Sequence, residues 1–436
     1  MSNDFQSWGR FPAAPHQKAV AWRDRRHMPM LGDGPVLARG NGRSYGDVCL
    51  NDGGTLLTTR ALDKFILFDA EAGELVCEPG VLLSDILDLI VPKGWFLPVV
   101  PGTRLVTVGG AIANDVHGKN HHRFGTFGTN VLDFRLLRSD GTALSCSRDE
   151  NAELFTATIG GLGLTGLIAE VRLKLRPIAS SYLEGEQFRF DTLDEFFALS
   201  EGSEASHEYT AAWIDCLAEG DRLGRGHFMR ANHAADGGLD PATRSLPLAV
   251  PLTPPLSLVT RVSLRVFNTL YYERQRVHEV SRRWHFDPYL FPLDSIANWN
   301  RLYGPKGFLQ YQCVVPDNEA RAASAELLKE ISRSGQGSPL VVFKTFGDVA
   351  SPGLLSFPMK GATLALDFPI LGKRTFELLD RLDGIVAEAG GRLYPAKDAR
   401  MSVEMFEKGF PALDRFMKQI DPAFESGFQR RVMGRA

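Results

Sequence analysis

The chain has 436 residues, enough for two domains of ordinary size, and its 44% hydrophobic and 23% charged composition is that of a soluble globular protein. A formal net charge of −3 leaves no basic surplus to neutralise phosphates, which argues against general nucleic-acid binding. The five cysteines (Cys49, Cys77, Cys146, Cys216 and Cys313) lie far apart, form no CxxC and are odd in number, a pattern that suits a reducing compartment and no structural zinc.

No apolar run approaches the roughly eighteen residues of a spanning helix, and the start MSNDFQSWGRF has no apolar core. The expectation is a cytoplasmic protein with no signal peptide, for which a peripheral contact with the inner face of a membrane stays open.

In chain order, residues 36–38 form a short apolar strand that runs into Arg39-Gly40-Asn41-Gly42-Arg43-Ser44-Tyr45-Gly46-Asp47. Glycines that admit a close approach, uncovered amides and a serine hydroxyl, placed directly after a strand, suit a loop around a pyrophosphate. A plain turn has the same composition. Strands are expected at 55–59, 64–68 and 75–78, and the last two flank an acidic, glycine-bearing turn. Apolar positions 82, 83, 86, 87, 89 and 90 predict an amphipathic helix over 82–91, and 96–100 leads onward.

Residues 101–130, PGTRLVTVGGAIANDVHGKNHHRFGTFGTN, hold six glycines, three histidines, a lysine and three asparagines. The run VGGAIAND has only short side chains, and His117, Lys119, His121 and His122 follow closely. Such a stretch reads as a cofactor cradle followed at once by reactive side chains; the blander alternative is a glycine-rich surface loop. Beyond it, 130–138 and 142–147 flank Ser139-Asp140-Gly141, a hairpin signal. A helix is expected over 151–158 and a strand over 167–175.

Between these two, Gly161-Leu162-Gly163-Leu164-Thr165-Gly166 matches the GxGxxG dinucleotide fingerprint letter for letter. That fingerprint needs a strand before it and a helix after it, and here the order is reversed with no βαβ alternation to follow. A nicotinamide-binding Rossmann domain is therefore rejected.

From about Ser180 the texture changes to longer, aromatic-rich strands at 182–190 and 207–216, with a short run at 227–230. Further strands are expected at 308–315, 340–346 and 362–368, and helices at 193–199, 319–332 and 374–389. This pattern suggests an α+β layer on a large antiparallel sheet. Residues 241–268, PATRSLPLAVPLTPPLSLVTRVSLRVFN, carry five prolines, Arg244, Arg261 and Arg265, and no acid. They read either as a proline-rich excursion packed on the domain or as a mobile apolar flap whose arginines meet anionic headgroups.

RGNGRSYGD, PGTRLVTVGGAIANDVHGKNHH and TIGGLGLTG together resemble the FAD-binding domain of vanillyl-alcohol-oxidase-type flavoproteins. Within that superfamily the chain is most similar to the decaprenylphosphoryl-β-D-ribose 2-oxidases. The resemblance continues through Phe308-Leu309-Gln310-Tyr311-Gln312, Phe343-Lys344-Thr345-Phe346-Gly347, Asp367-Phe368-Pro369-Ile370 and Tyr394-Pro395-Ala396-Lys397-Asp398. It implies an α+β, two-domain flavoprotein: an FAD-binding domain over 1–179, an antiparallel-sheet substrate domain over 180–391, and a return to the FAD domain over 392–436.

The activity it implies is oxidation of the 2′-hydroxyl of a polyprenyl-phosphoryl-β-D-ribose, which a separate short-chain reductase completes as an epimerisation to the arabinose donor. By the same resemblance Gly40, Asn41, Gly42, Arg43 and Ser44 bind the FAD pyrophosphate. Gly102, Thr103, Thr107, Gly109, Gly110, Asn114, His117, Gly166, Ile168, Tyr394 and Lys397 line the rest. Lys397 would stand near the flavin or the substrate hydroxyl, and His117 would accept the hydroxyl proton or hold the substrate. Lys119 and Lys344 are candidates for the phosphate, and Tyr45, Gln310, Gln312, Phe346 and Ala365 for the sugar. No metal is expected.

Three departures stand out. Arg43 occupies the place of the histidine that bonds FAD covalently in many members, so non-covalent FAD is expected. Ala365 stands where the nearest relatives carry a cysteine, and Thr363 where they carry asparagine. Two other functions compete: a soluble alditol or aldonolactone oxidase of the same superfamily, and a flavoprotein-like scaffold without turnover.

Overall fold

Three short apolar strands near the N-terminus pair in parallel, with Thr55–Thr58 between Lys18–Ala21 and Val36–Arg39. In the computed structural model, which describes residues 5–15, 18–31, 34–242 and 248–434, this small sheet sits beside a five-stranded antiparallel one. The larger sheet runs in the order Phe65–Asp69, Glu74–Cys77, Leu167–Lys174, Val131–Leu137, Ala143–Ser147. Helix Leu83–Ile90 buries Leu83, Ile86, Leu87 and Ile90, the i, i+3, i+4, i+7 stripe of an amphipathic helix, in one core with Leu75, Phe96 and Val171. The Ser139-Asp140-Gly141 turn closes its hairpin with Asp140 Oδ1 accepting from the Thr142 amide at 2.8 Å.

The second unit is an eight-stranded sheet, in which Gly361–Pro369 pairs antiparallel with Val341–Phe346 on one side and Phe308–Pro316 on the other. Side chains on a strand alternate between faces. Leu309, Tyr311, Cys313, Phe343, Leu364 and Leu366 point to one face and share a core with Leu327, Leu328, Leu378 and Leu382. Those four belong to helices Ala320–Ser334 and Lys373–Glu388, which cover that face. The alternate residues Gln310, Gln312, Lys344, Thr363 and Ala365 point the other way and wall the main cavity. One polar face on an otherwise apolar sheet thus places the site.

Several elements differ from the sequence expectation, each for a physical reason. Trp95–Phe96 pairs as a short strand that was not expected, and it ends there because Pro98 and Pro101 follow and a proline has no amide to donate. The run at 227–230 extends to Gly226–His233, held on both sides by Tyr182–Phe190 and Tyr209–Ile214. Glu279–His285, whose central residues are charged, forms the edge strand of the same sheet. Within the proline-rich stretch the chain forms helix Arg261–Glu273; Arg244 lies outside the described residues.

After the second unit the chain returns to the first. Val36 and Phe424 form a parallel bridge, with the Val36 amide donating to the Ala423 carbonyl at 2.9 Å. Arg138 Nη1 donates to the carbonyls of Thr165 (2.8 Å) and Gln419 (2.7 Å). Arg431 clamps Asp47, at 2.8 Å, and Asp398, at 2.8 Å. Lys397 is next to Asp398, so this clamp carries it to the cavity wall.

Candidate active site

The cavity opens where strand Val36–Arg39 ends. Gly40, Asn41, Gly42, Arg43 and Ser44 all line it, and among the described residues none of their five amide groups has an acceptor within the chain. Five successive unpaired donors in a loop that lines a cavity suit an anion cradle. The glycines are required: a Cβ at Gly40 would collide with Thr107 Oγ1, and Gly42 has φ +60° with the Arg39 guanidinium packed where its Cβ would be. Asn41 anchors the loop by donating from Nδ2 to the Leu105 carbonyl at 2.7 Å. The Arg43 guanidinium lies 4.2 Å from the centre of the Trp8 ring, and its buried Nε has no partner. Burial pulls the Arg43 pKa down, against the opposing charge of Asp294.

The opposite wall is the glycine-rich stretch. Its helix Val108–Ala113 offers no free amides at its start: Val108 N donates to Val81 O, Gly109 N to Pro79 O and Gly110 N to Thr107 Oγ1. The small side chains therefore serve close contact along the wall, and the free donors come from residues 40–44. Asn114 leaves its buried Oδ1 without a partner, while Tyr394 donates to the Asn114 carbonyl at 2.8 Å. Gly102, Gly166 and Ile168 extend the wall. Thr103 lines the cavity too, but its hydroxyl donates to Asp294 Oδ1 at 2.6 Å, and Asp294 Oδ2 accepts from the Arg104 amide at 2.9 Å. Unpaired loop donors, the orphaned Asn114 oxygen and a wall of small residues together fit an elongated diphosphate cofactor such as FAD.

At the sheet end the reactive groups converge. His117 Nδ1 is 3.1 Å from Lys344 Nζ, and His117 Nε2 is 3.1 Å from the Gln312 amide nitrogen. Lys344 also donates to the Gly118 carbonyl. Burial first, then the neighbouring Lys344, His121 and Lys397, hold the His117 pKa well below its usual value, so the imidazole is neutral. A neutral imidazole has one N–H and one lone pair. The charge on Lys344 therefore selects the tautomer: an ammonium donates to Nδ1, whereas an amine accepts from Nδ1–H.

Lys397 Nζ lies 3.9 Å from the centre of the buried Tyr45 ring. Burial pulls the Lys397 pKa down to about 7, and the carboxylate of Asp367 opposes that fall. Asp367 is itself pushed up by burial to about 7, with Gln310 and Lys397 acting in the other direction. Gln310 Nε2 donates to Asp367 Oδ1 at 2.8 Å, from the position directly across the two antiparallel strands. Lys119, lowered to about 8 by burial, donates to the Leu290 carbonyl at 3.0 Å.

The cavity thus gathers the residues expected from the sequence with one exception. Phe346 does not reach the wall; it stands behind His117, with ring centres 4.8 Å apart, and also against His121 at 4.7 Å. Strand alternation puts it on the cavity face, but the His117 ring covers it. His121 and His122 shape the loop, the latter through its Nε2 contact of 2.8 Å with the His207 carbonyl. Ala365 and Thr363 both line the cavity, and Thr363 Oγ1 donates to the Cys313 carbonyl at 2.8 Å. Sequence reasoning missed Asp294 and Trp299 on the wall, and Asp367 behind it. For Asp367 a signal existed, since it continues the alternation of Thr363 and Ala365.

Comparison with known proteins agrees with this geometry. Residues 31–147 match the model of the FAD binding domain. The decaprenylphosphoryl-beta-D-ribose oxidase of Mycolicibacterium smegmatis is 37% identical over 417 residues, covering 91% of this chain and 89% of that protein. An uncharacterised Streptomyces coelicolor protein is 35% identical over 81% of this chain and 100% of its own length. The L-gulonolactone oxidase of Mus musculus is 30% identical, over only 38% of each chain. With the FAD cradle in its N-terminal third and similarity to a sugar-lipid oxidase along nearly its whole length, the chain belongs to the decaprenylphosphoryl-β-D-ribose oxidase family and is an FAD-dependent oxidoreductase.

Proposed function

We propose that this enzyme oxidises the 2′-hydroxyl of a polyprenyl-phosphoryl-β-D-ribose to the ketone. In this reading a separate short-chain reductase returns the ketone as the arabinose epimer, a donor for cell-envelope glycans, and both enzymes work at the inner face of a membrane. The observation that carries the reading is the convergence of His117, Lys344, Lys397, Gln310 and Gln312 on one cavity that also holds the FAD loops.

FAD, when bound, supplies the acceptor for the two electrons and the hydrogen that leave the carbinol carbon. The residues Gly40 to Ser44 hold its diphosphate, without a covalent bond because Arg43 offers no nucleophile there. Lys397, poised near neutrality by burial, takes the hydroxyl proton at Nζ as the C=O bond forms. Gln310, oriented by Asp367, and Gln312 hold the sugar hydroxyls. Burial lowers the pKa of Lys119 to about 8 and that of Lys344 well below its usual value; an arriving phosphate would favour the charged form of each, and they hold that end of the substrate. His117, neutral, positions its neighbours and does not take the proton.

The alternative, a soluble alditol or aldonolactone oxidase, draws on the FAD loops alone, since the likeness to L-gulonolactone oxidase spans 38% of the chain. Product analysis separates the two. Purified enzyme offered a short-chain polyprenyl-phosphoryl-β-D-ribose is expected to give a product two mass units lighter, with the ketone at C2′. Turnover of free alditols or lactones, and none of the lipid sugar, would overturn the proposal.

A further inference from the structure

Between residues 286 and 307 the chain crosses the eight-stranded sheet. Edge strand Glu279–His285 precedes this stretch and strand Phe308–Pro316 follows it, with five strands lying between the two in the sheet. Leu293, Asp294 and Trp299 line the cavity together with Gln310, Gln312 and Lys344, so the crossing passes over the cavity face. Apart from the two-residue strand Ile296–Ala297 it contains only short helical turns, which do not hold it in place by themselves.

Two polar side chains fasten the crossing to the FAD unit. Asp294 accepts from the Thr103 hydroxyl at 2.6 Å and from the Arg104 amide at 2.9 Å. The Thr103 oxygen accepts in turn from the Leu105 amide at 3.2 Å, and the Leu105 carbonyl accepts from Asn41 Nδ2 at 2.7 Å. Further along, Asn300 Nδ2 donates to the Trp8 carbonyl at 3.0 Å, and the Trp8 amide donates to the Ser44 carbonyl at 2.8 Å. Trp8 also carries the Arg43 guanidinium over its ring and meets Trp299 edge-on, with ring centres 5.8 Å apart. Arg104 pairs with Asp287 of the same crossing, and Arg10 Nη2 donates to the Asn300 carbonyl at 3.1 Å.

Asn41 and Ser44 lie towards opposite ends of the anion cradle. The crossing therefore grips both ends of the cradle, through residues 103–105 at one end and through Trp8 at the other. Neither Asp294 nor Asn300 belongs to the cradle. Each is, however, the chain neighbour of a residue that walls the cavity: Leu293 beside Asp294, and Trp299 beside Asn300.

We propose that Asp294 and Asn300 are positioning residues that couple the loading of FAD to completion of the substrate-side wall. A diphosphate held by residues 40–44 fixes the cradle, and the cradle fixes residues 103–105 and Trp8. These hold Asp294 and Asn300, and with them Leu293 and Trp299. The coupling is reciprocal by linkage, so loosening either tether weakens the hold on a cofactor that neither side chain binds. The wall that a substrate meets is then complete only after FAD is in place.

The test compares the full-length enzyme loaded with FAD and stripped of it. Hydrogen exchange of residues 291–304 is expected to slow by about fivefold or more on loading, the lower end of a typical coupling. Strand Glu279–His285, at the far edge of the sheet, is the reference and should change little. On dilution, Asp294→Asn and Asn300→Ala should each release flavin, followed as free-flavin fluorescence, roughly tenfold faster than the wild type, the effect of one lost hydrogen bond. A purely structural role would lower the melting temperature of the stripped and loaded enzyme alike. The coupling instead shrinks the rise in melting temperature that FAD confers, in both variants. Equal exchange in residues 291–304 with and without FAD, or an equally large change in the reference strand, would overturn the proposal. So would release at the wild-type rate by both variants, or an FAD-induced rise in melting temperature that neither variant reduces.

Discussion

Lys344 reaches from the eight-stranded sheet to the glycine-rich stretch and places its Nζ 3.1 Å from His117 Nδ1. The pair joins the two units of the fold at the cavity, where burial first and the neighbouring Lys344 second keep the imidazole neutral. Removing the amine in Lys344→Met would leave the buried Gly118 carbonyl without its donor. The expected cost is about 1–3 kcal/mol in folding stability, measured by urea denaturation.

If Lys397 takes the hydroxyl proton as proposed, it sets the pH dependence of flavin reduction. Its pKa, pulled down to about 7 by burial, leaves it protonated and unable to accept a proton below that value, and neutral above it. The rate of the reductive half-reaction should therefore rise with pH through the region near 7 and then level off.

Asp367 opposes the fall of the Lys397 pKa. In Asp367→Asn the ammonium loses that support, so the rising limb should move to lower pH. A purely structural role for Asp367 would lower the plateau and leave the limb in place. The pH profile of single-turnover reduction distinguishes the two.

The cradle can be tested without turnover. Gly40→Ala forces a Cβ onto Thr107 Oγ1. Overpacking of this kind costs about 1–3 kcal/mol, and flavin content per chain should fall roughly tenfold or more at limiting FAD. In the wild type, denaturation should release all of the flavin into solution, as a non-covalent cofactor requires.

Arg431 holds the C-terminal return. It pairs with Asp47 and Asp398, which are 8% and 7% exposed. Arg431→Ala should cost about 3–5 kcal/mol by leaving these carboxylates buried without their cation. Burial already pushes the Asp47 carboxyl up, and losing Arg431 raises it further, so the folded variant binds protons more readily than the wild type. The stability deficit in urea should therefore narrow as pH falls.

Much of the site was legible because its residues follow strict local rules. Gly40 and Gly42 stand where only glycine fits, and Gln310 and Gln312 alternate with Leu309 and Tyr311 along one strand. Alternation misled at Phe346, because nothing in the strand pattern says that the His117 ring will cover it. Asp294 was not legible: it sits in the short turn Pro292–Ser295 and meets Thr103 from 191 residues away. Helix Arg261–Glu273 was hidden because apolar residues on two faces blur the single stripe that marks a surface helix. The edge strand Glu279–His285 was hidden because its core-facing pattern is interrupted by charged residues.

The most direct measurement is anaerobic stopped-flow bleaching of the flavin by a short-chain polyprenyl-phosphoryl-β-D-ribose, in the wild type and in Lys397→Met. Rapid bleaching of the wild type is expected, with the variant slower by about 10²–10⁴-fold at equal FAD content. Equal rates in both would contradict the role of Lys397. A wild-type flavin that stays oxidised with the lipid sugar but bleaches with free alditols would contradict the function itself.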